Sequence, residues 1–331
     1  MNNLFEFVDN FALTKNVKSL PIVISNKVGC KYTIAIPTYR RSRDLFKAIT
    51  SAINQNYLGD YNILVVDNNP ERNDETEQMV KTEFANCQSL SYYKNEQNLG
   101  MAGNWNRLFM LSSTCYVVML HDDDYLLPNY LTTIDKLIVS ERDVAVANTK
   151  KIMWNGELPI PLKKESGRIR IIRYSLISNY PYFHFGPPSG CLFNKQIVIE
   201  EGGFNNDWYP SSDYAFIVKL CYHNRNVIKI QNKLLLYKTV ENTTSKPETQ
   251  QRWIETDRNI KDQMYSVLNL PRVVKIFVNH FEIGIRRIRI QQITSGNKQL
   301  SFANTLFKMS FRIYRLAYKA YLETFYSSNL K

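Results

Sequence analysis

Between Tyr32 and Leu120 short apolar runs alternate with longer segments whose apolar positions recur every three to four residues. The runs are YTIAIP (32–37), YNILVVD (61–67), LSYYK (90–94) and YVVML (116–120). They are rich in β-branched and aromatic residues and largely apolar on both faces, as strands covered on both sides require. The intervening segments read as helices. DLFKAITSAINQ places Leu45, Ile49, Ala52 and Ile53 on one helical face, and Glu75–Phe84 and Met101–Ser112 read likewise. Upstream, Leu4–Leu13 reads as a short helix and PIVIS as a short apolar run. Four strands alternating with helices predict a parallel, doubly wound α/β sheet, in which ligands bind beyond the C-terminal strand ends. That rule gathers Thr38, Tyr39 and Arg40, then Asp67 and Asn68, then Asp122, Asp123 and Asp124 along one edge.

Composition narrows the class. The 331 residues, 44% of them apolar, suffice for one large domain with an appendage and an ordinary core. The 21 Tyr and 17 Phe suit carbohydrate stacking and ordinary packing equally. No stretch reaches the about 20 apolar residues of a membrane span. The N-terminal segment carries Glu6 and Asp9 and lacks a basic n-region, unlike a secretory signal. Cys30, Cys87, Cys115, Cys191 and Cys221 are odd in number and widely spaced, which argues against a disulfide framework and for a reducing, cytoplasmic compartment. The net charge is +12, but Pro271–Lys331 holds 11 Lys/Arg against Glu282 and Glu323, so the basicity belongs to the tail.

The most informative stretch is YVVMLHDDDYLLP, residues 116–128, where an apolar strand stops at three consecutive carboxylates. Such carboxylates repel one another, and a divalent cation relieves the repulsion. Mg²⁺ and Mn²⁺ are held by one or two carboxylates while substrate phosphates complete the shell. A solvated acidic turn before a helix is the plainer alternative. The turn after the first strand, PTYRRSRD, contains no glycine, which excludes a GxGxxG dinucleotide site. A P-loop is also absent.

IPTYRR, VVDNN, NEQNLGMAGNWN and LHDDDYLLP, in this order and spacing, resemble a family-2 glycosyltransferase of the GT-A fold. PPSGCLFNK (187–195), GGFNNDWYPSSDYAFIVKL (202–220) and YKTVENTTS (237–245) extend the resemblance to roughly residues 31–250. It implies a Rossmann-like, mostly parallel sheet flanked by helices. It also implies a leader (1–30), a catalytic domain (31–250, nucleotide-binding to 125 and acceptor-binding from 126) and a basic helical region (251–331).

By this resemblance Pro37, Thr38, Tyr39 and Arg40 line the nucleoside pocket, and Asp67 accepts hydrogen bonds from base or ribose. Asn98 and Gly100 match an Asn-x-Gly loop, followed by Asn104. The family usually reads Asp-x-Asp-Asp before the proline. Here His121 stands at the first aspartate, which leaves Asp122 for the ribose and Asp123, with Asp124 beside it, for Mn²⁺ or Mg²⁺. His121 itself reads as a neighbour rather than a ligand. Asp213, in Ser212-Asp213 where the family has Glu-Asp, is the expected base; an N-cap is the alternative. Trp208, Tyr209 and His184 are candidate acceptor contacts, and core packing is the alternative for each. Val240 stands where the family often has a histidine, and Thr249 replaces the first residue of a QxxRW motif, so a non-processive enzyme is expected.

In the tail, Phe307, Phe311, Tyr314 and Tyr318 recur at helical spacing, as do Lys308, Arg312, Arg315 and Lys319. Two readings stand: a helix lying peripherally on an anionic membrane, or a helical cap packed on the catalytic domain or a second subunit. The expected function is inverting transfer from a nucleoside diphosphate sugar, UDP most often in the family, to a saccharide or lipid-linked saccharide. A sugar-nucleotide pyrophosphorylase would want a glycine-rich basic loop after the first strand. A non-catalytic membrane-binding protein on the same scaffold is the third reading, and no RNA-recognition signature is present.

Overall fold

The computed structural model describes residues 3–157, 168–180, 185–239, 246–295 and 302–325. In chain order the strands are β1 (Ser19–Val23), β2 (Tyr32–Thr38), β3 (Tyr61–Asp67), β4 (Leu90–Asn95), β5 (Tyr116–Met119), β6 (Tyr125–Leu126), β7 (Val144–Trp154), β8 (Ile171–Tyr174), β9 (Cys191–Asn194) and β10 (Asn226–Lys238). The helices are α1 (Ser42–Ile53), α2 (Glu75–Glu83), α3 (Gly100–Leu111), α4 (Tyr130–Ser140), α5 (Leu176–Asn179), α6 (Lys195–Glu200), α7 (Ser212–Tyr222), α8 (Pro247–Leu268), α9 (Arg272–Ser295) and α10 (Phe302–Phe325).

All ten strands among the described residues form one sheet, in the order β1-β4-β3-β2-β5-β9-β7-β10-β6, with β8 paired to β10. The expected parallel unit is present as β4-β3-β2-β5, with Tyr32–Thr38 in register with Tyr61–Asp67. Beyond β5 the sheet is mixed: β9 runs antiparallel to both β5 and β7, and β10 lies parallel to β7. The leader contributes an edge strand, since β1 pairs antiparallel with β4. The helix expected over Leu4–Leu13 is replaced by turns and a single 3₁₀ turn at Ala12–Thr14.

Successive strand residues feed opposite cores, as a period of two demands. Ile34, Ile36, Val65, Val118 and Leu120 pack with Leu45, Ala48, Ile49 and Ala52 of α1 and with Ile134 and Leu137 of α4. Ala35, Leu64, Val66, Val117 and Met119 pack on the other face with α3, Phe204 and α7. The buried stripe of α1 is Leu45, Ala48, Ile49 and Ala52; Ile53, expected in it, is 36% exposed because Ala48 completes the i, i+3, i+4, i+7 set.

A third core joins Leu4 of the leader to Tyr214 and Val218 of α7, Ile260 and Met264 of α8, Val278 of α9 and Tyr318 of α10. The tail's aromatic stripe therefore has an internal use. Tyr314 stacks on Phe281 at 4.7 Å between ring centroids, and Phe307 lies over Gly284, where any side chain would collide with it. A different stripe of α10 faces outward: Leu306, Met309, Ile313 and Leu316 are 47–70% exposed. No described helix is long and apolar enough to cross a membrane.

Candidate active site

The polar residues that follow β2, β3 and β5 meet along one sheet edge, as the strand-end rule requires. Asn68 N–H donates to Thr38 O (2.9 Å), and Leu120 N–H to Ala35 O (2.9 Å), so the three strand ends are tied together. From β5 the chain crosses the edge to reach β6, which pairs with Leu235 and Leu236 of β10. The three aspartates lie on that crossing. Ser189, just before β9, accepts from His121 N–H (3.0 Å), and Asp124 Oδ1 accepts from Lys238 N–H (2.9 Å).

Each carboxylate has a different environment. Asp122 accepts from Thr38 Oγ1 (2.8 Å) and Arg41 Nη1 (3.3 Å), and burial pushes its carboxyl up to about 7. Asp123 accepts from Arg41 Nη1 at 2.9 Å. Asp124 is 1% exposed, and burial, followed by the Asp123 charge, pushes it up to about 7. The His121 ring stacks on Trp105 (5.7 Å), and burial brings it down to about 4, which keeps the imidazole neutral.

His121, Asp123 and Asp124 each offer a ligand atom, all within 4.8 Å of one another. His121 Nε2 and Asp124 Oδ2 are buried without a hydrogen-bond partner. Orphaned buried polar atoms are costly, and two beside a third carboxylate fit a bound cation. The donor set, one imidazole and two carboxylates, suits Mn²⁺ and accommodates Mg²⁺. His121, expected as a neighbour of the ligands, lies among the ligand-capable groups.

Consecutive arginines diverge here. The Arg40 backbone is left-handed (φ 54°), and its side chain lies outward over Tyr39 and toward Glu71. Arg41 takes the inward position on the aspartates. The PTYRR stretch signalled a basic pair, but only the backbone reversal decides which member turns inward.

Asp67 is fully buried and accepts from Asn69 N–H (2.9 Å), Tyr92 Oη (2.7 Å) and Lys94 Nζ (3.1 Å). Burial nonetheless raises its carboxyl above the usual range. Asn68 donates to Asn98 Oδ1 (2.8 Å) and accepts from Leu99 N–H (2.9 Å), fastening the Asn98–Gly100 loop to β3. Gly100 has φ +70°, the conformation expected of it, and a Cβ there would stand 3.1 Å from Asn206 Nδ2. Asn104 faces inward, bonding Val66 O (3.2 Å) and Asn95 (2.9 Å), so it braces the loop from within.

Asp213 lies in the first turn of α7, half-buried, accepting from Tyr214 N–H at 2.8 Å; the N-cap position belongs to Ser211. Burial pushes the Asp213 carboxyl up to about 6. Lys151 of β7 was not anticipated. Its ammonium donates to Pro187 O (2.5 Å), and its charge acts on His121, Asp124 and Asp213. Burial brings it down to about 8. The doublet Lys150–Lys151 gives no local sign of this placement, which comes from the pairing of β7 with β9 and β10.

One acceptor expectation changes. Trp208 is 4% exposed in the third core, so it offers no ring face for a sugar to stack on. Tyr209 is half-buried with the Arg252 guanidinium 5.3 Å over its ring. His184 and Val240 lie outside the described residues. Pro37, half-buried, precedes Thr38 in β2, and Tyr39 is 43% exposed at the rim.

A parallel β4-β3-β2-β5 unit, a mixed second half and a histidine–aspartate cluster on the crossing after β5 define a GT-A glycosyltransferase. UDP-GlcNAc-bound TarS of S. aureus shares the fold at TM-score 0.56 and 17% identity, over 85% of this chain and 79% of that one. A mannosyltransferase of Pyrobaculum calidifontis with GDP-Man and Mn²⁺ shares it at TM-score 0.54 and 14% identity, over 93% and 87%. The chain belongs to glycosyl transferase family 2, whose model matches residues 33–201. It is 33% identical over 182 residues, 54% of this chain and 56% of the relative, to the GalNAc(5)-diNAcBac-PP-undecaprenol beta-1,3-glucosyltransferase of Campylobacter jejuni.

Proposed function

We propose that this glycosyltransferase moves a sugar from a nucleoside diphosphate donor to a saccharide hydroxyl in one inverting, metal-dependent, non-processive step. The observation that carries the reading is the group His121, Asp123 and Asp124, with two unpartnered buried ligand atoms, beside a Lys151 ammonium whose charge also reaches Asp213. His121, Asp123 and Asp124 would hold Mn²⁺ or Mg²⁺, and the ion supplies charge stabilisation to the departing diphosphate oxygen.

The protein's own groups do the rest. Thr38 orients Asp122 toward the ribose, while Tyr39, Arg40 and the Asn98–Gly100 loop border the nucleoside. Asp67, already holding three donors, contributes chiefly by fixing the end of β3. Asp213 takes the proton of the acceptor hydroxyl as that oxygen attacks the anomeric carbon from the face opposite the diphosphate. A carboxyl pushed up to about 6 is ionised at neutral pH yet basic enough to accept a proton. Lys151 keeps charge balance between base and cluster. Tyr209 is the remaining aromatic acceptor contact among the described residues.

UDP-sugars are the preferred donor class, supported by the UDP-GlcNAc complex of a structural neighbour. An acceptor carried on a lipid diphosphate, in surface-polysaccharide assembly, is supported by the name of the Campylobacter relative. The exposed Leu306–Met309–Ile313–Leu316 stripe with Arg312 beside it suits docking on the anionic cytoplasmic face of a membrane. We take residues 31–250 as the catalytic unit, with the leader completing its sheet and 251–331 as the docking region.

Donor hydrolysis across UDP-, GDP- and dTDP-sugars, with Mn²⁺, Mg²⁺ or chelator, tests the reading. One donor turned over only with metal is expected. Pyrophosphate-dependent release of a nucleoside triphosphate would indicate a pyrophosphorylase instead. Vesicle binding that survives Asp123→Ala without any donor turnover in the wild type would leave a membrane-binding protein.

A further inference from the structure

We propose that Arg41 is a donor-binding residue that also restrains the acidic cluster, occupying Asp123 until a nucleoside diphosphate draws the guanidinium away. This role rests on the reading of the cluster as a metal–diphosphate site and deepens it. Arg41 Nη1 lies 2.9 Å from Asp123 Oδ2 and 3.3 Å from Asp122 Oδ1. The two carboxylates differ in what remains if Arg41 leaves. Asp122 keeps the Thr38 hydroxyl at 2.8 Å, whereas Arg41 supplies the hydrogen bond seen on Asp123.

Of the three ligand-capable groups, His121 and Asp124 already present unpartnered atoms, and Asp123 is the one engaged. A cation arriving alone therefore meets two ready ligands, a third held by an arginine, and the repulsion of the guanidinium itself. A diphosphate changes that balance. The planar fork of arginine matches phosphate oxygens in bidentate geometry, and phosphate carries more charge than the carboxylate it would replace. The side chain is 29% exposed, so it can change partners by rotation of its own bonds. Its backbone is already fixed, since Arg41 O accepts from Leu45 N–H (2.9 Å) at the start of α1. Transfer of Arg41 to the diphosphate releases Asp123, and nucleotide and cation then strengthen each other's binding by the same factor.

The test is Mn²⁺ binding measured by electron paramagnetic resonance, first without nucleotide and then with saturating UDP or GDP. Wild type, Arg41→Gln and Arg41→Lys are compared, with melting curves to confirm folding. Arg41→Gln should bind Mn²⁺ without nucleotide about tenfold more tightly than wild type, and its gain on adding nucleotide should shrink. Arg41→Lys, which keeps a cation at the site, should stay close to wild type without nucleotide but gain less on adding it, since an ammonium lacks the bidentate fork. Equal or weaker nucleotide-free Mn²⁺ binding by Arg41→Gln would overturn the role of Arg41 while leaving the metal site intact. Absence of Mn²⁺ binding by every variant with every nucleotide would remove the metal reading itself, and this role with it.

Discussion

Thr38, Asp67 and Asp122 reach the site from the ends of parallel strands, whereas Lys151, Ser189 and Lys238 reach it from the mixed half of the sheet. In the parallel half, doubly covered strands must run in one direction with crossover helices, so their C-terminal residues share an edge by construction. In the mixed half, β9 reverses direction between β5 and β7, and β10 pairs with three partners. Which residue faces the cleft there depends on long-range register. In the proposed function the first half serves as the nucleotide platform. The second carries the proposed base, Asp213, and the Lys151 charge that acts on it.

The largest expected effect breaks this division at Asp213. Asp213→Asn should lower kcat by about 10²–10⁴-fold while leaving nucleotide affinity near wild type, read by steady-state kinetics beside a binding titration. A parallel loss of nucleotide affinity would move Asp213 to the donor side. As the proposed base, the same carboxylate should also set the pH dependence. Its carboxyl sits at about 6 and acts as a base only when ionised, so kcat should fall as pH drops below that value and level off above it.

Next come changes in the platform's core. Ile49→Ala should cost about 2–5 kcal/mol in urea unfolding, because the side chain is fully buried under β2 and β3. Lys151→Met sharpens the comparison from the other side. Removing its charge should shift the acid limb of kcat upward by about one pH unit, with little change in nucleotide affinity. An unmoved limb would confine Lys151 to packing. The smallest effect is Ile53→Ala, expected within about 0.5 kcal/mol at this 36% exposed position.

The same contrast explains what the residues revealed in advance. The runs ending at Thr38, Asp67 and Leu120, and the abrupt triplet after them, announced both the sheet and its chemical edge. Strand-end placement needs only local pattern and handedness. The α1 stripe differs from the expected one by a single residue, because Ala48 and Ile53 both fit a helical period and only packing under the sheet chooses between them. His121 and Arg41 were visible as residues but not as partners. A left-handed backbone turn at Arg40 and the long-range contact of His121 with Ser189 place them. Trp208 departs from expectation for the opposite reason: an aromatic close to Asp213 in sequence also serves as core when the leader and the C-terminal helices close over it. The tail's aromatic period was legible as a helix, and its outward stripe emerged only once α9 had covered the aromatic face.

The most direct measurement is a calorimetric titration of UDP and GDP into wild type and Asp123→Asn, each with Mn²⁺ and with chelator. Tight nucleotide binding by the wild type in Mn²⁺ alone, and loss of that metal-dependent gain in Asp123→Asn, is the expected result. Nucleotide affinity that is the same with Mn²⁺ and chelator, in both proteins, would contradict a metal–diphosphate site at His121, Asp123 and Asp124.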